Sequence, residues 1–165
     1  MRGLILVLML AACAAPPVAV PAPIWRDLSQ PIGSTTRGGP LDISGDWVVA
    51  AAYPGGPAVP GGTVALRLDA AGDGVWAFSG APAAAAIPVP VTQVGPGRYR
   101  AQPGPGLAVE FWVIWVDDDF RTAVIGTPDG AFGWVMDRPG QASADRARAA
   151  REILDFSGYD LGALP

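Results

Sequence analysis

The sequence predicts an all-β fold, an eight-stranded up-and-down antiparallel β-barrel with one C-terminal α-helix packed outside. Short runs rich in β-branched and aromatic residues recur between residues 45 and 137. Turns rich in Gly, Pro and Asp separate them, and a single segment with helical spacing follows. Closing eight strands into a barrel removes exposed sheet edges and leaves an interior that holds side chains or one small ligand.

Eight segments carry the strand signals. In the second segment Val64, Leu66 and Leu68 alternate with polar or small residues, so one face is apolar. In the fourth, Pro88 and Pro90 favour a strand edge or a bulge. The predicted strands are residues 45–53, 63–69, 75–79, 87–94, 98–101, 107–116, 120–126 and 131–136.

One helix is predicted between Ser143 and Gly158. Ser143 is a candidate N-cap and Gly158 a natural stop. Ala150 and Leu154 recur at helical spacing with Ala147. This face should lie against the barrel and cover apolar residues that point outward.

Composition and charge exclude several functions. The net charge is −4, which argues against a nucleic-acid partner, because such binding depends on neutralising phosphates. The chain has no His, the commonest metal ligand and the usual general base. The three acids at 117–119 are expected to be a solvated turn and not a cation site. We therefore expect no cofactor, no metal and no enzymatic activity.

The N-terminus predicts a lipid anchor. Residues 1–12 contain an apolar run too short to span a bilayer. Residues 10–13, Leu-Ala-Ala-Cys, resemble the bacterial lipobox, which implies a signal peptide cleaved before Cys13 and lipid on its thiol. Ordinary secretion with a chance Cys, or a short buried helix, is the alternative. Ala14 weakly favours the outer membrane, facing the periplasm, within the bacterial cell envelope.

Three regions follow from these features. Residues 1–12 are the predicted lipoprotein signal peptide. Residues 13–40 are the lipidated Cys13 and a Pro-rich tether, because runs such as Pro-Pro-Val-Ala-Val-Pro neither pack nor form helices. Residues 41–165 are the predicted barrel domain.

Side-chain alternation predicts which residues face inward. Glu110 should face outward, which turns Phe111, Val113 and Trp115 inward. Arg121 should face outward in the next strand. The predicted interior residues are Val49, Ala51, Phe111, Val113, Trp115, Thr122, Val124, Phe132, Trp134 and Met136. They either fill the barrel as a solid core or line a cavity for an apolar ligand, and residue types do not decide between the two.

Three motifs in order resemble those of the lipocalins. Residues 45–47, Gly-Asp-Trp, are similar to the Gly-x-Trp motif that opens the first strand. Residues 118–120, Asp-Asp-Phe, resemble the second motif, Thr-Asp-Tyr, with two substitutions. Arg138 follows the last strand as in the third motif. The continuation to Leu161 looks like the bacterial outer-membrane lipocalin group.

The resemblance implies roles for these residues. Gly45, Trp47 and Arg138 would close one end of the barrel, with the Arg138 guanidinium across the Trp47 indole. It also implies a carrier of a small hydrophobic ligand, of the fatty acid (palmitate-like) or lysophospholipid class. The loops at 54–62 and 127–130 would form the mouth. A structural envelope module with a filled barrel, and a lipid-modifying enzyme, are the alternatives.

Overall fold

The computed structural model describes residues 23–80 and 85–165. Each of eight strands pairs antiparallel with the next, and the last pairs with the first, so the barrel is closed. The predicted fold class is confirmed. The strands are β1 (Gly45–Ala52), β2 (Thr63–Leu68), β3 (Gly74–Ser79), β4 (Ile87–Gly95), β5 (Arg98–Gly104), β6 (Leu107–Val116), β7 (Thr122–Gly126) and β8 (Gly133–Asp137).

Two α-helices flank the barrel: α1 (Pro40–Ile43) precedes β1, and α2 (Ala144–Phe156) follows β8 and packs on β7 and β6. Ala150 and Leu154 of α2 are fully buried against the barrel. Gly158, at φ +83°, ends the helix in a conformation that favours glycine. The hydroxyl of Ser143 makes no capping hydrogen bond. No helix within the described residues combines the length and the apolar character that a bilayer span requires.

Apolar side chains form two clusters, one on each side of the sheet. The interior cluster fills the barrel and contains Trp47, Val49, Trp76, Phe111 and Trp134 among others. The helix-side cluster lies between the sheet and α2. Among the residues predicted to face inward, the interior cluster holds Val49, Phe111, Val113, Trp134 and Met136, with Phe132 packed against it.

Two of the predicted inward orientations are wrong because of β-bulges. In β6 the register with β7 shifts between Val113 and Trp115. The extra residue sends Trp115 to the helix-side cluster. In β1 the register with β8 shifts after Val49, so Ala51 also faces the helix side and Ala52 faces inward.

Two more orientations are wrong because the preceding turn is longer than predicted. Residues 117–121 form a closed turn, with Phe120 at φ +55°, and β7 begins only at Thr122. The side chains of β7 therefore alternate in the opposite sense to the prediction, and those predicted to face inward face the helix side. Val124 packs in the helix-side cluster, and the Thr122 hydroxyl bonds to a helix side chain. Ala123 and Ile125 face the interior instead.

The packed domain begins well before residue 41. Residues 24–37, here called the N-terminal strap, run along the barrel wall. The Trp25 N–H donates to the Gly130 carbonyl at 2.8 Å, and the Thr35 N–H donates to the Val113 carbonyl at 2.7 Å. Buried Arg26 bonds to the Pro128 carbonyl at 2.9 Å. The predicted boundary at residue 41 is therefore too late. The predicted signal peptide and Cys13 lie outside the described residues.

Candidate functional site

The antiparallel order places alternate connections at opposite ends of the barrel. The connections β1–β2, β3–β4, β5–β6 and β7–β8 lie at one end, which we call the mouth. The other three connections lie with α1 and the end of β8 at the opposite end, which we call the closed end. The interior cluster lies between the two.

Trp47 and Arg138 close the barrel at the closed end. Trp47 is fully buried, and its indole N–H donates to the Ile43 carbonyl at 2.9 Å. The Arg138 guanidinium carbon lies 3.9 Å from the Trp47 ring centroid. Burial lowers the pKa of Arg138, yet a guanidinium stays protonated at neutral pH. The pair therefore makes a cation–π contact shielded in part from water.

Hydrogen bonds fix the Arg138 guanidinium in place. It donates to the Phe120 carbonyl at 3.1 Å and to the Asp42 carbonyl at 2.9 Å. Gly45 has φ +121°, and a Cβ there would meet the Arg138 Nη1 at 2.6 Å. Only glycine combines that conformation with so close an approach. Arg138 thus contacts both of the other residues that the resemblance assigned to closure, Gly45 and Trp47.

Asp117, which sequence reasoning treated as solvated, is a buried anchor of the β6–β7 turn. Its carboxylate accepts the N–H groups of Arg121 and Thr122, each at 2.6 Å, and the Arg121 Nε at 3.1 Å. Burial alone would raise the pKa of Asp117, but the backbone donors outweigh it and hold the pKa below its usual value.

A second polar group fixes α2 to the barrel. The Thr122 hydroxyl donates to the Asp137 carboxylate at 2.5 Å and accepts from the Arg146 Nε at 2.8 Å. Arg146 belongs to α2, so this chain of bonds connects the helix to β7 and β8. Thr122 therefore has a structural role outside the interior.

Aromatic rings fill the interior between the two ends. The Trp76 and Phe111 rings stack at 5.2 Å, and the Trp134 ring lies edge-on to Phe111 at 5.5 Å. The sequence-based prediction of the interior missed Trp76, Phe78 and Tyr99, although Trp76 and Phe78 alternate along one strand. The rings in contact belong to Trp76, Phe78, Tyr99, Phe111, Phe132 and Trp134.

Two indole N–H groups in this interior have no partner among the described residues. Trp76 and Trp134 are both fully buried, and neither Nε1 donates a hydrogen bond. A buried donor without an acceptor costs free energy of about 1–3 kcal/mol. The interior therefore offers two N–H donors to an acceptor atom. Tyr99 lies beside Trp76, and burial raises its pKa to about 12.

Phe132 stands between the interior and the mouth. Its ring contacts Phe111 at 5.8 Å and stacks on Trp134 at 6.3 Å. It also lines a depression of about 420 Å³ at the mouth. Phe132 is therefore shared by the depression and the aromatic interior. The depression is lined by Ala108, Val109, Glu110, Pro128, Asp129, Ala131 and Phe132.

The depression carries negative charge. Glu110 accepts from the Trp112 indole and from Arg100, both at 3.1 Å, and these bonds lower the pKa of Glu110. Asp129 adds a second carboxylate, and no basic residue lines the depression. Arg100 offsets part of the charge of Glu110, so the negative charge of the depression comes mainly from Asp129. This charge makes an anionic group less favoured there than a neutral or zwitterionic one.

Tyr159 supports the β7–β8 connection. Its hydroxyl accepts the Thr127 N–H at 2.8 Å and donates to the Phe132 carbonyl at 3.0 Å. Burial raises the pKa of Tyr159, so the hydroxyl remains protonated. The backbone on both sides of the Phe132 ring is thus held in place.

Within residues 23–80 and 85–165, no group of three or more His, Cys, Asp or Glu side chains is arranged to hold a metal ion.

Residues 99–165 match the family model described as a lipocalin-like domain. The chain is 29% identical over 55 residues to temperature-induced lipocalin-1 of Arabidopsis thaliana. That match covers 33% of this chain and 30% of the relative, so it spans less than a third of the plant protein. The family-model match includes Arg138 and lies entirely after the first four strands.

Solved structures share the fold at low sequence identity. Apocrustacyanin C1 superimposes with a TM-score of 0.59 at 11% identity, over 75% of this chain and 76% of its own. Bovine odorant-binding protein, as a deswapped triple mutant, superimposes with a TM-score of 0.52 at 13% identity, over 75% of this chain and 92% of its own. The chain therefore has the lipocalin fold.

Proposed function

We propose that this chain is a lipocalin that binds a small hydrophobic molecule of the fatty acid or lysophospholipid class inside its barrel. The observation that carries the proposal is an apolar aromatic interior, closed at one end by Trp47 and Arg138 and bordered towards the mouth depression by Phe132. The family match and the shared fold support the same class. The name of the bovine structural neighbour states that it binds odorants, which are also small molecules.

Binding would start at the mouth depression and displace the Phe132 ring. An acyl chain would then lie against Phe111 and Trp134. Each buried methylene contributes about 0.8 kcal/mol before the costs of association and ring displacement. The head group would stay in the depression, beside Glu110 and Asp129. Because both are carboxylates, we expect a zwitterionic lysophosphatidylcholine to bind more tightly than ionised palmitate.

We also propose that the protein is held in the bacterial cell envelope by lipid on Cys13, in the outer membrane. The support is the lipobox-like sequence at residues 10–13 and the Pro-rich segment after it. Two or more acyl chains anchor a protein stably where one does not. Cys13→Ser should move the protein from the membrane fraction to the soluble fraction. A membrane-bound fraction unchanged from that of wild type would contradict the anchor.

A second candidate is a structural module whose barrel stays filled. The ring contacts in the interior favour it, because they leave no gap between Trp76, Phe111 and Trp134. In this case the protein would function through contacts made by its outer surface, and no lipid would enter the barrel. The two functions differ in a single measurable property, the occupancy of the interior.

Native mass spectrometry of the protein with lysophosphatidylcholine and with palmitate distinguishes them. We expect discrete one-to-one adducts, more abundant with lysophosphatidylcholine. Phe132→Trp should reduce them, since a larger ring obstructs the passage. Phe156→Trp is the matched control, because Phe156 is 77% exposed at the end of α2 and should change nothing. A bare mass under every condition would reject the ligand-binding function in favour of the filled barrel.

A further inference from the structure

The two ends of the barrel differ sharply in charge. By sequence, the connections at the mouth (residues 53–62, 80–86, 105–106 and 127–132) contain one charged residue, Asp129. At the closed end, residues 69–73 contain two acids, and residues 117–121 contain three acids and Arg121. By sequence, the connections at the mouth are therefore poor in charge, although Glu110 and Asp129 line the depression beside them.

Large apolar side chains are exposed around that end. Ile87 is 69% exposed at the start of β4, and Leu107 is 62% exposed at the start of β6. Val59 lies in the β1–β2 connection, and Ile24 lies beside Gly130 of the β7–β8 connection. These four residues, which we call the apolar rim, come from different sides of the mouth. Large apolar side chains exposed together around one end of a barrel point to an interaction surface.

The N-terminal strap enters the domain at the apolar rim. The Trp25 indole donates to the Pro54 carbonyl at 3.0 Å, and its backbone N–H donates to the Gly130 carbonyl. From there the strap runs to the closed end, where Arg37 pairs with Asp118 at 2.6 Å. The ten residues 14–23 can span at most roughly 35 Å. An attachment at Cys13 therefore lies within about that distance of the mouth, the end at which the strap begins.

We propose that the apolar rim docks on the surface of a lipid bilayer, so that the mouth faces the membrane. Exposed isoleucine and leucine side chains suit insertion at the headgroup–acyl boundary. The charged closed end would then point into water. Because no basic residue lines the mouth depression, the association would depend on apolar burial, and we expect salt to change it little. This inference rests on the proposed function for its purpose, because a mouth on the bilayer can take lipid from it.

Fluorescence from single labelled cysteines tests the orientation. In full-length Cys13→Ser protein, a polarity-sensitive fluorophore is attached to Leu107→Cys at the rim or to Leu41→Cys at the closed end. The two native side chains are matched, at 62% and 61% exposure. Phosphatidylcholine vesicles are added, with and without a lipid-borne quencher. We expect a blue-shifted emission and several-fold stronger quenching at position 107 than at position 41.

Charge variants provide the second measurement. Ile87→Glu with Leu107→Glu should lower the vesicle-bound fraction several-fold in flotation. Leu41→Glu with Val94→Glu, which places the same charge on exposed apolar residues at the closed end, should leave it unchanged. Equal quenching at both positions, or no association with vesicles, would overturn the docking surface. A blue shift at position 107 that appears without vesicles when the protein concentration is raised would also overturn it, because the rim would then contact a second copy of the protein. Lipid adducts in mass spectrometry report ligand binding separately, so the two proposals can fail independently.

Discussion

The closed end and the mouth of the barrel are built by different physical means. At the closed end, Arg138 lies over Trp47 and bonds to backbone carbonyls, and the Asp117 carboxylate holds the β6–β7 turn. At the mouth, hydrogen bonds concentrate on the β7–β8 side, around Arg26 and Tyr159. The remaining mouth connections consist of Gly, Pro and Ala, with exposed apolar side chains.

The difference indicates a division of roles. Buried charge-assisted hydrogen bonds are costly to disrupt, so the closed end should contribute most to stability. The mouth has few such bonds, so substitutions there should change the free energy of unfolding only slightly. They should instead change access to the interior. Substitutions at the two ends should therefore separate stability from binding.

The largest expected effect comes from Trp47→Ala. It removes a fully buried side chain together with the ring under Arg138, and we expect a loss of about 3–5 kcal/mol in the free energy of unfolding. Urea denaturation monitored by circular dichroism measures it. Trp112→Ala is the control, because Trp112 lies on the outer face under Arg98 and should cost clearly less. Equal losses in the two variants would contradict the claim that the closed end contributes most to stability.

Arg138→Ala should cost less, about 1–2 kcal/mol, from the lost cation–π contact and hydrogen bonds. Arg138→Lys keeps the charge but cannot reproduce the planar set of donors, so it should retain only part of the stability that Arg138→Ala loses. Thermal unfolding of both variants gives the values. An unchanged Tm in Arg138→Ala, with ligand binding abolished, would reverse the assignment of this residue from closure to binding.

Asp117→Asn should cost about 1 kcal/mol near neutral pH, because the backbone N–H donors lose a charged acceptor. The pKa of Asp117 is lowered on folding, so its contribution is present above the unfolded value of about 3.9 and is lost as pH falls through the folded pKa. Wild type and variant should converge in stability in acid, measured by urea denaturation against pH. Asp118→Asn is the control near neutral pH, because Asp118 is exposed, and it should cost clearly less than Asp117→Asn.

The smallest effect on stability is expected for Leu107→Glu at the mouth. Leu107 is largely exposed, so the free energy of unfolding should change by no more than about 0.5 kcal/mol. Thermal unfolding checks this value. A loss above that range would show that the rim is part of the core, which would blur the contrast between the two ends.

The sequence carried the strand order, because alternating apolar residues and Gly- or Pro-rich turns are local signals. It did not reveal the bulges in β1 and β6. Ala50 and Ile114 are the residues that shift the register there, and both are apolar residues that fit either face. Bulges depend on pairing with a neighbouring strand, which a single strand's sequence does not contain.

The candidate site was partly visible for the same reason. Trp134 and Phe111 lie in strongly apolar strands, and Trp76 and Phe78 share a face that alternation marks. Asp117 was hidden among three adjacent acids, and only the folded turn shows that its carboxylate is the one that accepts two backbone N–H groups. Whether the rings fill the barrel depends on packing between strands, which residue types do not specify.

The most direct test is the shift in Tm that lysophosphatidylcholine produces in wild type, Arg138→Ala and Phe132→Glu. Ligand that binds only the folded state raises Tm, and the shift increases with the ratio of free ligand concentration to Kd. We predict a shift in wild type, the same shift from a lower starting Tm in Arg138→Ala, and little or no shift in Phe132→Glu. No shift in wild type, or a shift lost in Arg138→Ala but kept in Phe132→Glu, would contradict a ligand site behind Phe132.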